Sequence, residues 1–502
     1  MRNYISRSGV LPVVLFALFG FLAMGYHPGA EDDGVYLSAV KSDLNPVLYP
    51  RDGAFFQLQM RTSVFDNWMA DFVRATGMPV PWSELLWQAL SLLLMVSACW
   101  SIVSRLFPER TARWGALALF SAMLTIPVAG TALYLADQYL HPRNLSTALI
   151  LFAISRIQAR RLWQAIPLLA IAWVLHPLMG TLGLSFGFVL ALTLSEPVRL
   201  KVHSWRARFA PSAAGGVAPV AVLIPFGWIF EPPSKIWLDA VSTRHWFRLY
   251  EWTWYEWLGA IAPLVLFWLL SRVARRQGDM AVCHFATAVL IYGLFQQAFA
   301  MIVLGPKALI ALSTLEPMRY LQIVYVFLTL FAGAYLGKYV LRARVWRWAI
   351  LLILAYGGMF FAQRQIFAST PHIELPYATP ENPWLQAFAW VRANTPEDAY
   401  FALDPNYLAD PGEDYHSFRA LAERSVLADR IKDTSVISKV PEIGPAWLAQ
   451  TEAQAGWNHF QLADFERLKS GFGVNWVVVR YPNPAGLDCR WHNAQLAVCR
   501  VP

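Results

Sequence analysis

Apolar blocks of 12 to 25 residues recur along the first 363 positions, most of them flanked by Lys or Arg. They run without the strict apolar/polar alternation of a membrane-barrel strand. A bilayer core calls for roughly 20 apolar residues per helix. The pattern predicts about eleven spans, near 10–26, 84–104, 114–135, 144–155, 162–176, 178–194, 212–230, 257–271, 280–304, 320–337 and 346–363. The fourth, fifth and sixth are short and read as tilted or partly re-entrant. Arg2 and Arg7 ahead of the first block imitate a signal peptide. No small-residue cleavage site precedes Glu31, so that block is expected to stay as a helix.

The pattern changes after residue 363. Pro371 through Pro383 reads as a proline-rich linker. Trp384, Leu385, Phe388 and Val391 then follow a helical spacing, stopped at Asn394-Thr-Pro396. Ala399–Leu403 and Val474–Val479 read as strands, and Arg490 to Val501 as a hairpin. Residues 364–502 carry 16 acids against 12 Lys/Arg, which suits a small soluble α/β domain.

Composition agrees with the spans. The chain is 57% hydrophobic and 15% charged, where a soluble domain averages about 25% charged. An ordinary soluble or disordered protein is excluded. With the N-terminus inside, the inner loops hold 19 Lys/Arg and the longer outer loops before residue 364 hold 10. That asymmetry is the topology signal of a cytoplasmic N-terminus, and an odd span count puts the tail outside. The net charge of +8 is explained by those inner loops, so nucleic acid is not an expected partner. Cys489 and Cys499 lie ten positions apart across the expected hairpin and can pair in an oxidising compartment. Cys99 and Cys283 fall in spans and read as buried apolar residues.

Ionisable residues are nearly missing from the span centres, which argues against an ion-coupled transporter. They gather instead where spans meet the outer face. Glu31-Asp32-Asp33 follows the first span directly. Three adjacent carboxylates repel one another, so one is expected to titrate high and serve as a general base unless a cation compensates. Asp137, His141 and Arg143 end the third span, and His176 ends the fifth. Glu316 and Arg319 open the tenth, and Arg244, His245 and Arg248 lie in an aromatic outer loop. Each alone also fits a helix cap or a belt anchor. Together they place acids, imidazoles and guanidiniums at the depth of a lipid-linked phosphate, a group that arginine forks suit. Walker, dinucleotide-binding and zinc-protease motifs are missing from the sequence.

This layout resembles the C-type glycosyltransferase superfamily, polytopic enzymes that use polyprenyl-phosphate sugars. One span precedes a long outer loop that opens with acids, here Glu31-Asp32-Asp33, and continues with amphipathic pieces around Phe55–Phe72. About eleven spans and a soluble outer domain follow. The entry to that domain, Trp384-Leu…Trp390-Val-Arg…Asn394-Thr-Pro396-Glu-Asp-Ala399, is similar to the helix–Asn-Thr-Pro–strand entry of several members. The resemblance implies that Asp32 or Asp33 takes the acceptor's proton and that Arg319 or Arg143 neutralises the donor phosphate. It also implies that Asp137 matches the second-loop acid with which some members hold a divalent metal such as Mg or Mn, although many members need none.

The expected architecture is an α-helical polytopic membrane domain over 1–363, whose first outer loop is 27–83. A linker over 364–383 and an α/β domain over 384–502 follow. The expected function is sugar transfer from a polyprenyl-phosphate donor to a glycan, lipid or protein acceptor, with inversion. The expected place is the outer face of a bacterial inner membrane. The rival readings are a non-catalytic membrane scaffold and a lipid or glycan transporter.

Overall fold

The computed structural model describes residues 7–196 and 233–502. The expected span 212–230 and the basic residues Arg2, Arg199, Lys201, Arg206 and Arg208 lie outside the described residues.

Helix α1 (Arg7–Met24) leads into three short helices, α2 (Asp33–Leu44), α3 (Ala54–Met60) and α4 (Phe65–Thr76). The bundle continues with α5 (Val80–Leu106), α6 (Arg110–Ala122), α7 (Pro142–Gln158), α8 (Leu162–Leu175) and α9 (Pro177–Leu194). After a short α10 (Lys235–Val241) come α11 (Trp254–Arg276), α12 (Met280–Leu304), α13 (Leu321–Tyr335) and α14 (Val345–Ile366). Among the described residues, six stretches are long and apolar enough to cross a membrane: α5, α9, α11, α12, Pro317–Leu341 around α13, and α14. Gly9–Met24 of α1 and all of α8 are shorter apolar helices. The chain is a multi-pass membrane protein.

Large apolar side chains divide between core and periphery. Phe120, Phe186, Phe267, Phe285 and Phe327 are buried, with Phe285 edge-on to Phe327 at 4.8 Å between ring centroids. Leu266, Ile302 and Leu354 face outward on α11, α12 and α14, as lipid-facing positions do. Between lipid and core there is no hydrophobic drive to join helices, so backbone proximity matters more. Helices α6 and α13 use it: a Cβ on Gly115 would lie 2.3 Å from the Gly333 carbonyl.

The third expected span, 114–135, is not one helix. Helix α6 stops at Ala122, and residues 123–141 run irregularly. Pro127 cannot donate within a helix. Gly130 adopts φ +60° and has Trp252 where a Cβ would stand, at 2.7 Å. Irregular backbone at such a depth is tolerated where it lines a cavity, and this stretch does so.

The C-terminal part begins with α15 (Pro383–Asn394), capped by the Asn382 side chain, which accepts from the amides of Trp384 and Leu385. Five strands form one sheet in the order β2-β1-β3-β5-β4: β1 (Tyr400–Ala402), β2 (Ser425–Val426), β3 (Trp476–Arg480), β4 (Asp488–His492) and β5 (Leu496–Arg500). β1 runs parallel to β2 and β3, and β5 antiparallel to β3 and β4. Alternation sorts the two faces. Phe401, Val478 and Val498 pack with Phe388 of α15, while Tyr400, Val477, Val479 and Cys499 pack with Phe465 of α19 (Leu462–Phe472). Cys489 and Cys499 are register partners on β4 and β5 and are joined as a disulfide.

Three further helices, α16 (Phe418–Ala422), α17 (Asp433–Lys439) and α18 (Gly444–Ala453), fill the connection from β1 to β3. They press the C-terminal part onto α2 and α3. At that contact Arg419 donates from Nε to Asp52 at 2.6 Å and from both Nη atoms to Asp433 at 2.7 and 2.9 Å. All three side chains are buried. Removing one member of a buried ion cluster strands the others, at a cost of about 3–5 kcal/mol. Arg419→Ala is expected to lower the thermal unfolding midpoint of the purified chain and to speed proteolysis between residues 364 and 383; an unchanged midpoint rejects Arg419 as the clasp.

Candidate active site

The turn after α1 carries the acids, and its shape is set by what holds it. Gly29 has φ +76° and Glu31, without a glycine's freedom, has φ +53°. Such a backbone persists only where neighbours over-determine it. Here the Glu31 amide donates to the Tyr415 carbonyl at 2.9 Å, and Ser417 N donates to Gly29 O. Below them Glu374 accepts from His27 at 2.7 Å and from His416 at 3.0 Å, with both imidazoles buried. Ile373 also bridges to Tyr26, so the proline-rich stretch is pinned to the end of α1.

Asp32 precedes α2, and Asp33 begins it. The two carboxylates part company there. Asp33 turns inward, 2% exposed, and its Oδ2 accepts from the Gly29 amide at 2.6 Å. Burial raises its pKa. Asp33 lies outside the cavity lining, because the helix start that it occupies points its side chain back at the turn. Asp32 and Glu31 face the other way, into a cavity of about 1230 Å³. Lys432 reaches both, at 2.5 Å from Glu31 and 3.2 Å from Asp32. Burial alone would raise the Asp32 pKa, but Lys432, then His141 and Arg143, hold it well below the usual carboxylate range. The side chain stays 42% exposed, toward the cavity.

The same cavity gathers residues from distant stretches. Asp137, His141, Arg143, His176, Arg244, His245, Glu316 and Arg319 all line it. His141 Nδ1 accepts from the Arg143 amide at 2.9 Å as it caps α7. The ring proton of the neutral form therefore sits on Nε2, which is 3.9 Å from Asp32 Oδ2. Burial pushes His141 and His176 well below the ordinary imidazole pKa, with Arg143 acting in the same direction.

Asp137 does not present the open carboxylate that a metal site needs. Its two oxygens accept from Arg143 Nε at 3.0 Å and Nη2 at 2.6 Å, and both side chains are buried. Asn144 and Gln88 hold its backbone. A divalent ion would have to displace a bidentate guanidinium. Among the described residues, no group of three or more His, Cys, Asp or Glu side chains is spaced to hold a metal. The residues present do not fit the expected ion at Asp137. The same pairing engages Arg143 Nε and Nη2, while Arg143 also lines the cavity.

Arg248 lies apart: it pairs with Glu251 at 2.6 Å, donates to the Val241 and Ser242 carbonyls, and does not line the cavity. His245 pairs with Glu256 at 2.9 Å. Arg244 is different. It is buried over Trp246, its Nε lacks a hydrogen-bond partner, and Nη2 has only a long contact to Thr434. Arg319 pairs with Glu316 at 2.8 Å. Lys439 lines the cavity nearby. Arg244, Arg319 and Lys439 face two acids, Glu316 and Asp32, and Asp32 is already matched by Lys432, an arrangement that favours an anionic ligand.

Lys432, Lys439 and Arg430 were missed by sequence reasoning, which treated the tail as a separate domain. The one available signal was Arg430-Ile-Lys432-Asp433, a basic pair in an acid-rich segment. Tyr36 and Tyr139, which also line the cavity, carry no sequence signal at all.

No family model matches the chain, and no curated protein matches it. Among solved structures it matches the archaeal oligosaccharyltransferase AglB from Archaeoglobus fulgidus, in complex with an inhibitory peptide and a dolichol-phosphate. Identity is 12% and the TM-score 0.41, over 95% of this chain and 70% of that one.

The clamp under the acidic turn titrates. Burial opposes the charge on His416, but Glu374 and Glu413 raise its pKa to about 9, from 6.5. A raised folded-state value stabilises the protein below the unfolded pKa, and that stability is lost as pH climbs through the folded one. Thermal unfolding midpoints are expected to fall between about pH 6.5 and pH 9, and His416→Asn is expected to flatten that decline; an equal slope in both proteins rejects the clamp.

Proposed function

We propose that this protein is a membrane glycosyltransferase of C-type architecture, acting on a polyprenyl-phosphate sugar at the face away from the cytosol. The observation that carries the reading is the shared cavity: the Asp32 carboxylate and the cations Arg244, Arg319 and Lys439 line one space. Part of its wall is membrane helix. Trp173 of α8 and Phe295 and Phe299 of α12 line the cavity and are 47%, 63% and 40% exposed. A lipid-borne donor can enter sideways past them, with its phosphate against the cations.

In this reading the acceptor hydroxyl oxygen attacks the anomeric carbon. The bond from that carbon to the phosphate oxygen breaks, and its electron pair leaves with the polyprenyl phosphate. Asp32 takes the hydroxyl proton. A carboxylate held ionised is a weak base, which suffices when the proton moves late. It also faces the positive charge that develops on the sugar ring. Arg319, Arg244 and Lys439 receive the phosphate's growing charge, so the leaving group needs no proton. The cationic inner loops of the sequence support the orientation.

Membranes carrying the protein are to be fed labelled polyprenyl-phosphate sugars, and release of free lipid phosphate measured. Asp32→Asn is expected to cut release by about 10²–10⁴-fold, and Arg319→Ala to raise KM for the donor. Asp33→Asn is expected to cost much less than Asp32→Asn. Release by Asp32→Asn at the unmutated rate overturns the assignment.

A further inference from the structure

Two adjacent carboxylates that line a cavity usually need a cation between them. Here the cation is part of the chain. Lys432 Nζ lies 2.5 Å from Glu31 Oε2 and 3.2 Å from Asp32 Oδ1, four hundred positions away in sequence. Its ammonium meets Asp32 Oδ1, while Asp32 Oδ2 stands 3.9 Å from His141 Nε2.

The position of Lys432 is over-determined. Its backbone amide donates to Asp429 Oδ1 at 2.5 Å, as does that of Ile431 at 2.7 Å, closing a tight turn ahead of α17. The Asp429 amide in turn donates to Asp433, which is itself gripped by Arg419. The clasp that docks the C-terminal part on the first loop thus aims the ammonium at the acids.

We infer that Lys432 is a built-in cation, standing between Glu31 and Asp32 where a divalent metal would otherwise bridge them, and that it positions Asp32 for metal-independent sugar transfer. This rests on the transfer reading for its kinetic arm. The cation arm does not: it needs no sugar. The site is incomplete until the C-terminal part is docked, so the tail completes the chemistry of the membrane domain.

The test uses the full-length chain in detergent. Mn²⁺ alone is titrated and followed by electron paramagnetic resonance. Unmutated protein is expected to leave the Mn²⁺ signal unquenched, and Lys432→Ala, whose two acids lack a cation, to take up one ion. In the transfer assay, the unmutated protein is expected to keep its rate in EDTA. Lys432→Ala is expected to lose about tenfold or more in kcat with little change in donor KM, and Lys432→Arg to recover most of it. Folding of each variant is checked by gel filtration. Stoichiometric Mn²⁺ binding by the unmutated protein overturns the inference, as does loss of its rate in EDTA or full kcat in Lys432→Ala. Should no donor be turned over at all, the transfer reading falls, and the Mn²⁺ titration alone decides whether Lys432 fills the cation site.

Discussion

A charge buried at an interface must be matched at that interface, because water is not there to do it. Arg419 imposes this constraint on the whole molecule. Its guanidinium is satisfied only when Asp52 of the first loop and Asp433 of the C-terminal part meet around it. Lys41 repeats the device, donating to Glu423 at 2.7 Å and to the Ala420 carbonyl. Neither half can drift without stranding an ion. The consequence reaches the cavity, since α17 carries both Asp433 and Lys439, and the turn before it carries Lys432.

The cavity is built in two layers with different physics. Its lower wall is apolar helix, where Leu182, Phe295 and Phe299 project from spans. Its upper wall is polar and comes from the ends of elements: the turn after α1, the irregular stretch before α7, the start of the Pro317–Leu341 span and the turn before α17. Helix starts and turns can direct backbone amides and short polar side chains into one space. Continuous helix cannot, since its donors are spent internally. Hence the break in the third span lets Pro127, Tyr134, Asp137 and His141 line the cavity.

Electrostatics separates roles within groups that look alike in sequence. Asp32 and Asp33 are neighbours, yet one is held ionised by Lys432 while the other is buried against a backbone amide. Asp137 and Arg143 saturate each other, whereas Arg244 keeps an unpartnered Nε and Lys439 opens to the cavity.

The sequence by itself determined the membrane character, the position of the helices that are strongly apolar and the presence of a mixed α/β segment at the C-terminal end. Those properties follow from local pattern, because the solvent or lipid that a residue faces is read out at periods of 2 and 3.6. It did not determine that the helix expected over 114–135 ends at Ala122, that Asp33 turns away, that Asp137 is paired to a guanidinium, or that Lys432 comes back to Glu31. Each of these depends on a partner hundreds of positions distant or on one peptide's φ. Contacts of that kind exist only once packing has closed the chain on itself, so tertiary structure alone decided them.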